Sequence, residues 1–184
     1  MKYSIVLLLF ILTSCKEVSF QQPQPKDRKA LHQVPKDLQG KYLTIQDNGE
    51  LSKDTVIITA NGYRFGYYEP AERAAGNDEY EVGVLSDTLV LKSYKGYYFL
   101  NVNEKPEWLL RVLKPEKSGD LVYMALEQKD VDFKSFLKRL SAEIRVDSVV
   151  LKEETLYQID PTPNQLIDLI EKGYFSKTLL KKIK

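Results

Sequence analysis

The sequence predicts an α+β fold: an antiparallel β-meander forming a curved sheet or partly closed barrel, with C-terminal helices. Three observations carry this. Between residues 41 and 128, short apolar runs rich in β-branched and aromatic residues recur, each bounded by turn residues. No amphipathic helical stretch lies among them to serve as a parallel crossover, so successive strands run antiparallel. From residue 132 the apolar spacing changes to three and four, the helical period.

The elements follow in order. Residues 41–46 form a first strand, closed by the turn Asp47-Asn48-Gly49. Residues 55–60 form a second, and Asn61-Gly62 follows, a dipeptide suited to the positive φ angles of a type I′ hairpin. Residues 63–69 return, and 70–83 read as a polar loop. Residues 88–93, 97–102, 108–113 and 121–128 supply four more strands, with turns at Lys95-Gly96, near Pro106 and over 116–120. Two hairpins look alike: Gly62-Tyr63-Arg64-Phe65 in one answers Gly96-Tyr97-Tyr98-Phe99 in the other. Duplication and the ordinary reuse of turn and strand residues both produce such a match. Val56-Ile57-Ile58 and Leu89-Val90-Leu91 are apolar at consecutive positions, which predicts strands covered on both faces.

The cover comes from the C-terminal part. Residues 132–144 form a helix with Phe133, Phe136, Leu137, Leu140 and Ile144 on one stripe. Residues 146–151 and 155–159 read as a last strand pair or an extended segment. Thr162 is a good N-cap with Pro163 at the first helical position, Leu166, Ile167, Leu169 and Ile170 form the apolar side, and Gly173 ends the helix. Ser176 is read as the cap of a further short helix carrying Leu179, Leu180 and Ile183.

Upstream, Met1-Lys2-Tyr3-Ser4 precedes the apolar run of residues 5–12 and then Thr13-Ser14-Cys15. A cationic start, a short greasy core and small residues at its end are the layout of a secretory signal peptide. The core is too short to span a bilayer, which takes roughly 20 residues. Leu12-Thr13-Ser14-Cys15 resembles the lipobox of bacterial lipoproteins. The resemblance implies cleavage before Cys15, acylation of its sulfur, and a membrane partner reached through that lipid. Lys16 stands where such lipoproteins often carry the Asp that retains them in the inner membrane, which implies the outer membrane. The resemblance covers the leader alone and says nothing of the fold. The organisation read from the chain is therefore a signal peptide over 1–14, a lipidated cysteine and flexible tether over 15–37, and one domain over 38–184. That domain is β-rich to residue 128, with the helices and last strands in 129–184. The tether reading rests on Gln21-Gln22-Pro23-Gln24-Pro25, the charged run from Lys26 to Lys29, and few apolar residues, a composition that does not repay its ordering entropy.

Composition narrows function by exclusion. With 27 Lys+Arg against 26 Asp+Glu there is no global field to recruit nucleic acid. Cys15 is the sole cysteine and His32, in the tether, the sole histidine, so no His/Cys metal site, no disulfide and no Ser-His-Asp triad is expected. Asn77-Asp78-Glu79-x-Glu81 offers oxygens but lacks the spacing of a calcium loop. Ser135-Phe136-Leu137-Lys138 fits Ser-x-x-Lys without its companion motifs, and core packing explains its apolar pair. No phosphate-cradling glycine motif occurs, and no cofactor or catalytic residue is expected. The unusual feature is tyrosine, 12 in all. Tyr63, Tyr67, Tyr68, Tyr97, Tyr98 and Trp108 are the candidate binding residues, since these side chains supply rigid apolar area with a polar tip. The expected function is a non-catalytic, membrane-anchored envelope domain binding a partner protein or an apolar small molecule. The alternative is a hydrolase using carboxylates from the 70–83 loop or from strand ends.

Overall fold

A computed structural model describes residues 17–45, 50–67, 80–127, 132–151 and 154–183. The fold is α+β. Among the described residues, twelve strands and two helices follow in the order β1 (Val18–Ser19), β2 (Gly40–Ile45), β3 (Leu51–Thr59), β4 (Gly62–Tyr67), β5 (Tyr80–Val84), β6 (Leu89–Tyr94), β7 (Tyr97–Glu104), β8 (Glu107–Pro115), β9 (Leu121–Ala125), α1 (Phe133–Glu143), β10 (Val146–Leu151), β11 (Glu154–Ile159), α2 (Pro163–Glu171) and β12 (Ser176–Ile183). Nine strands make one antiparallel sheet in the order β5-β4-β3-β2-β12-β9-β8-β7-β6. The sheet curls into a nearly closed barrel. Its two edge strands, β5 and β6, are neighbours in the chain, and a segment upstream of β2 runs from the β6 edge to the β3–β4 turn. Leu31 N donates to Leu91 O on β6 at 2.8 Å, and Val34 N donates to Ala60 O at the β3–β4 turn, also at 2.8 Å. The first bond satisfies a backbone group that an open edge at β6 would leave exposed.

The remaining strands form a second, three-stranded sheet, β1-β11-β10, which lies with both helices on the outer face of β7–β9. β1 runs parallel to β11 with Val18 opposite Tyr157, while Phe20 bridges to Trp108 on β8. Alternation along the strands explains the division of labour. On β8, Leu110 and Val112 point outward into the core under the helices, whereas Leu109, Arg111 and Leu113 point into the barrel. The helices bury the apolar stripes read from the sequence, and Thr162 caps the second as expected. Asp132 accepts from Ser135 N at 3.1 Å, Thr162 and Gln165 make a reciprocal capping box, and Phe136, Leu140, Leu166, Ile167, Leu169 and Ile170 are buried. Among the described residues no helix is long and apolar enough to cross a membrane.

Four expectations need correction. Residues 17–37 are not a free tether. Val18 and Phe20 are fully buried, and the polar residues after them are held by buried partners rather than by water. Gln24 N donates to Asn101 Oδ1 at 2.6 Å, Asn101 Nδ2 donates to Gln24 O at 2.8 Å, and Lys92 Nζ donates to Pro23 O and Pro25 O at 2.7 and 3.1 Å. Composition measured how little apolar surface this segment carries and missed the hydrogen-bond sockets waiting for it on β6 and β7. The segment from Ser176 is a strand, not a helix: Thr178 and Leu180 face the barrel interior while Lys177, Leu179 and Lys181 are exposed. It pairs β2 on one side and β9 on the other, and without it the large sheet would fall into two halves. Part of the 70–83 loop is strand, because residues 80–84 complete the edge beside β4. Finally, the β3–β4 turn is Ala60-Asn61, with Gly62 already paired to Thr59. Gly62 does take a positive φ (152°), but the consecutive pair of left-handed residues that a type I′ turn needs appears at Lys95 (49°) and Gly96 (80°) in the β6–β7 turn.

Candidate functional site: a cavity inside the barrel

The inner face of the barrel lines a partly open cavity of about 520 Å³, within the range of small-molecule sites. Its wall is mostly aliphatic: Val56 and Ile58 from β3, Leu91 from β6, Leu100 and Val102 from β7, Leu109 and Leu113 from β8. These positions alternate along their strands, which is why one face of the sheet supplies them all. Val34 and Leu38 seal one end, where the chain crosses beneath the β3–β4 turn. Tyr98 closes the same end with its hydroxyl donating to Asp37 Oδ2 at 3.0 Å. Glu81 near the start of β5 and Glu104 at the end of β7 also line it, two solvent-exposed carboxylates on an otherwise largely apolar wall.

Between the ends stands Arg111. It forms a bidentate ion pair with Glu17, Nη2 donating to Oε2 at 3.0 Å and Nη1 to Oε1, and Nη1 also donates to Leu110 O at 3.1 Å. Burial pulls the guanidinium pKa down, but the hydrogen bond and charge of Glu17 outweigh it and hold the group charged. Arg111 also sits against Tyr123, whose pKa burial raises. Glu17 reaches Arg111 because β1 takes the place beside β8 that β9 vacates after Ala125. The N-terminal segment thus contributes a side chain to the interior.

Tyr63 lies over Gly83 on the neighbouring strand, where an added Cβ would come within 2.2 Å of its ring. That seat carries the Tyr63 hydroxyl to Glu81 Oε1 at 2.9 Å. Burial, then the bond to Glu81, pushes the Tyr63 pKa up to about 12.

The six aromatic residues singled out from the sequence do not share a surface. Tyr63 lines the cavity, and Tyr98 packs at its sealed end. Tyr97, 6.4 Å from Phe99, and Trp108 pack on the opposite face, against the core under the helices. The backbone of Tyr67 ends β4, while Tyr68 lies outside the described residues, as does Cys15. The two look-alike hairpins present their matching residues to opposite sides: Tyr63 and Phe65 inward, Tyr97 and Phe99 outward. One residue of register separates them, and with a period of two that reverses every side chain. Ser135 and Lys138 are exposed on α1, and Asn77, Asp78 and Glu79 lie outside the described residues. Among the described residues no group of three or more His, Cys, Asp or Glu could hold a metal ion.

Reading the sequence for binding residues missed Arg111, Glu17, Tyr123 and Glu104. Arg111 did leave a signal: it is the one charge inside Trp108-Leu109-Leu110-Arg111-Val112-Leu113. A charge at an inward position of an apolar strand is costly unless paired, so it marks a polar feature of the interior. Compared with family models, with curated proteins and with solved structures, the chain matches none.

Proposed function

We propose that this protein is a lipid-anchored envelope domain that binds an apolar small molecule inside its barrel. The observation that carries the reading is the partly open, aliphatic-walled cavity of about 520 Å³, lined by strands and plugged at one end. An interior of this kind gives a greasy ligand the area it needs, at roughly 25 cal/mol for each Å² removed from water. The anchoring half of the reading rests on the lipobox-like residues 12–15, which would tie the domain to the membrane through an acylated Cys15.

Native mass spectrometry of the full-length protein, extracted gently from its own membrane, tests both halves at once. The expected spectrum carries an acyl increment on Cys15 and a small co-purifying mass that leaves on denaturation. A spectrum without the increment overturns the anchor. The uncharged dye N-phenylnaphthylamine, titrated into stripped protein, tests the cavity directly. Saturable fluorescence enhancement that Leu100→Trp abolishes is expected, because the indole would fill the space the dye enters. No enhancement in the native protein and no co-purifying mass together rule the cavity out as a binding site.

A further inference from the structure

Resting on that reading, we infer that the barrel discriminates by head-group charge: it takes uncharged or cationic amphiphiles and rejects anionic ones, with Glu17 as the residue that sets this preference. The cavity wall carries three charged side chains among the described residues, Glu81, Glu104 and Arg111. Arg111 is the one group that could receive a ligand carboxylate or phosphate in bidentate fashion, the geometry in which a guanidinium recognises such anions. Glu17 of the same chain already occupies that fork, bonding both terminal nitrogens. It is not a casual surface contact. The residues immediately after it are fixed, Val18 and Ser19 by pairing to β11 and Phe20 by its bridge to Trp108, all three fully buried.

With Arg111 answered internally, Glu81 and Glu104 remain, and the lining has an excess of negative charge. An anionic head would meet two solvent-exposed carboxylates on the lining, with Arg111 already taken, and like charges placed together are disfavoured. An ammonium head would find carboxylates, and a hydroxyl head would carry no charge to compensate. Tyr63 holds Glu81 from one side and leaves the carboxylate's remaining lone pairs as acceptors. Specificity of this kind is built by disfavouring the wrong ligand rather than by adding contacts to the right one.

Three probes with one chain length test it: dodecylamine, dodecanol and dodecanoate, each displacing N-phenylnaphthylamine from the full-length protein at neutral pH. Dodecylamine and dodecanol are expected to displace the dye at least about tenfold more tightly than dodecanoate, a difference of one decade in affinity. In Glu17→Gln, Arg111 loses its internal anion, and dodecanoate should gain by a similar factor while dodecanol changes little. Adding Arg111→Met to that variant should remove the gain. Dodecanoate binding as tightly as dodecanol to the native protein overturns the inference while leaving the cavity as a binding site. Failure of all three to displace the dye overturns the cavity reading and the inference with it. Should Glu17→Gln fold poorly, as near-ultraviolet circular dichroism would show, the ranking on the native protein still decides.

Discussion

The two faces of the large sheet are built from the same strands and end in different states. On the outer face of β7–β9, Phe99, Leu110, Val112 and Met124 meet Phe136, Leu140, Leu166 and Ile170 from the helices, all buried. On the inner face, Tyr42, Ile58, Leu91, Leu113 and Leu180 are buried too, yet the wall between them stays open as a cavity. The difference is geometric. A helix laid on a sheet can settle until side chains interdigitate at crystal-like density. A curled sheet facing itself cannot approach closer than its strand number and tilt allow, so its interior is filled only where side chains or a plug reach. Charge and polar groups occur on both faces: outside, Lys92 is buried on the carbonyls of Pro23 and Pro25, and inside, Arg111 pairs with Glu17 and Tyr63 with Glu81. One face makes the fold stable and the other leaves room for function.

That contrast can be broken from either side. The largest effect is expected in the outer core. Phe136→Ala removes a ring that is 2% exposed and packed against Tyr174, and should cost about 3–5 kcal/mol in urea denaturation. Leu100→Ala, on the cavity wall, should cost only about 1 kcal/mol, since much of its side chain already borders space and little new void forms. Equal losses at the two sites would show that the interior is as well packed as the outer core. Gly83→Ala falls between them: its methyl group would collide with the Tyr63 ring, displacing it from Glu81 at a cost of about 1–3 kcal/mol. The Tyr63→Ala variant made alongside should relieve that collision, so the double variant should lose less than the sum of the two.

The smallest effect concerns pH. The Tyr63 pKa lies near 12 in the fold and near 10 when unfolded, so between those values the folded state holds the proton that the unfolded state releases. Stability from this group is complete below pH 10 and is lost as pH rises through about 12. Tyr63→Phe should therefore flatten part of the alkaline fall in the urea midpoint measured from pH 9 to 11.5 (roughly the span of tyrosine titration). An unchanged slope would mean that the Tyr63–Glu81 bond does not survive in solution. Tyr42, Tyr98 and Tyr123 are also raised, each first by burial, so a residual slope should remain.

How far the sequence could be read depended on whether an element's partner was near in the chain. The helix cap at Thr162 was legible because a cap bonds a residue three positions on. The β6–β7 and β10–β11 hairpins were legible because strand and return strand share one turn. β12 was not. Its pattern of Thr178, Leu180 and exposed lysines suits a strand only between β2 and β9, neighbours some 140 and 50 positions away along the chain. Residues 17–37 failed in the same way: Gln24 looks like spacer until Asn101, 77 positions on, is placed opposite it.

The sequence by itself determined the α+β class, the antiparallel strand order within each hairpin, and both helices with the cap at Thr162, because periodicity and capping are local physics. Tertiary structure alone decided that the sheet curls round a cavity, that β12 joins its two halves, and that Tyr63 and Tyr97 face opposite ways. It alone brought Glu17 to Arg111 across 94 positions of chain. Side-chain direction depends on register and charge pairing on proximity, and both are settled only when distant strands meet.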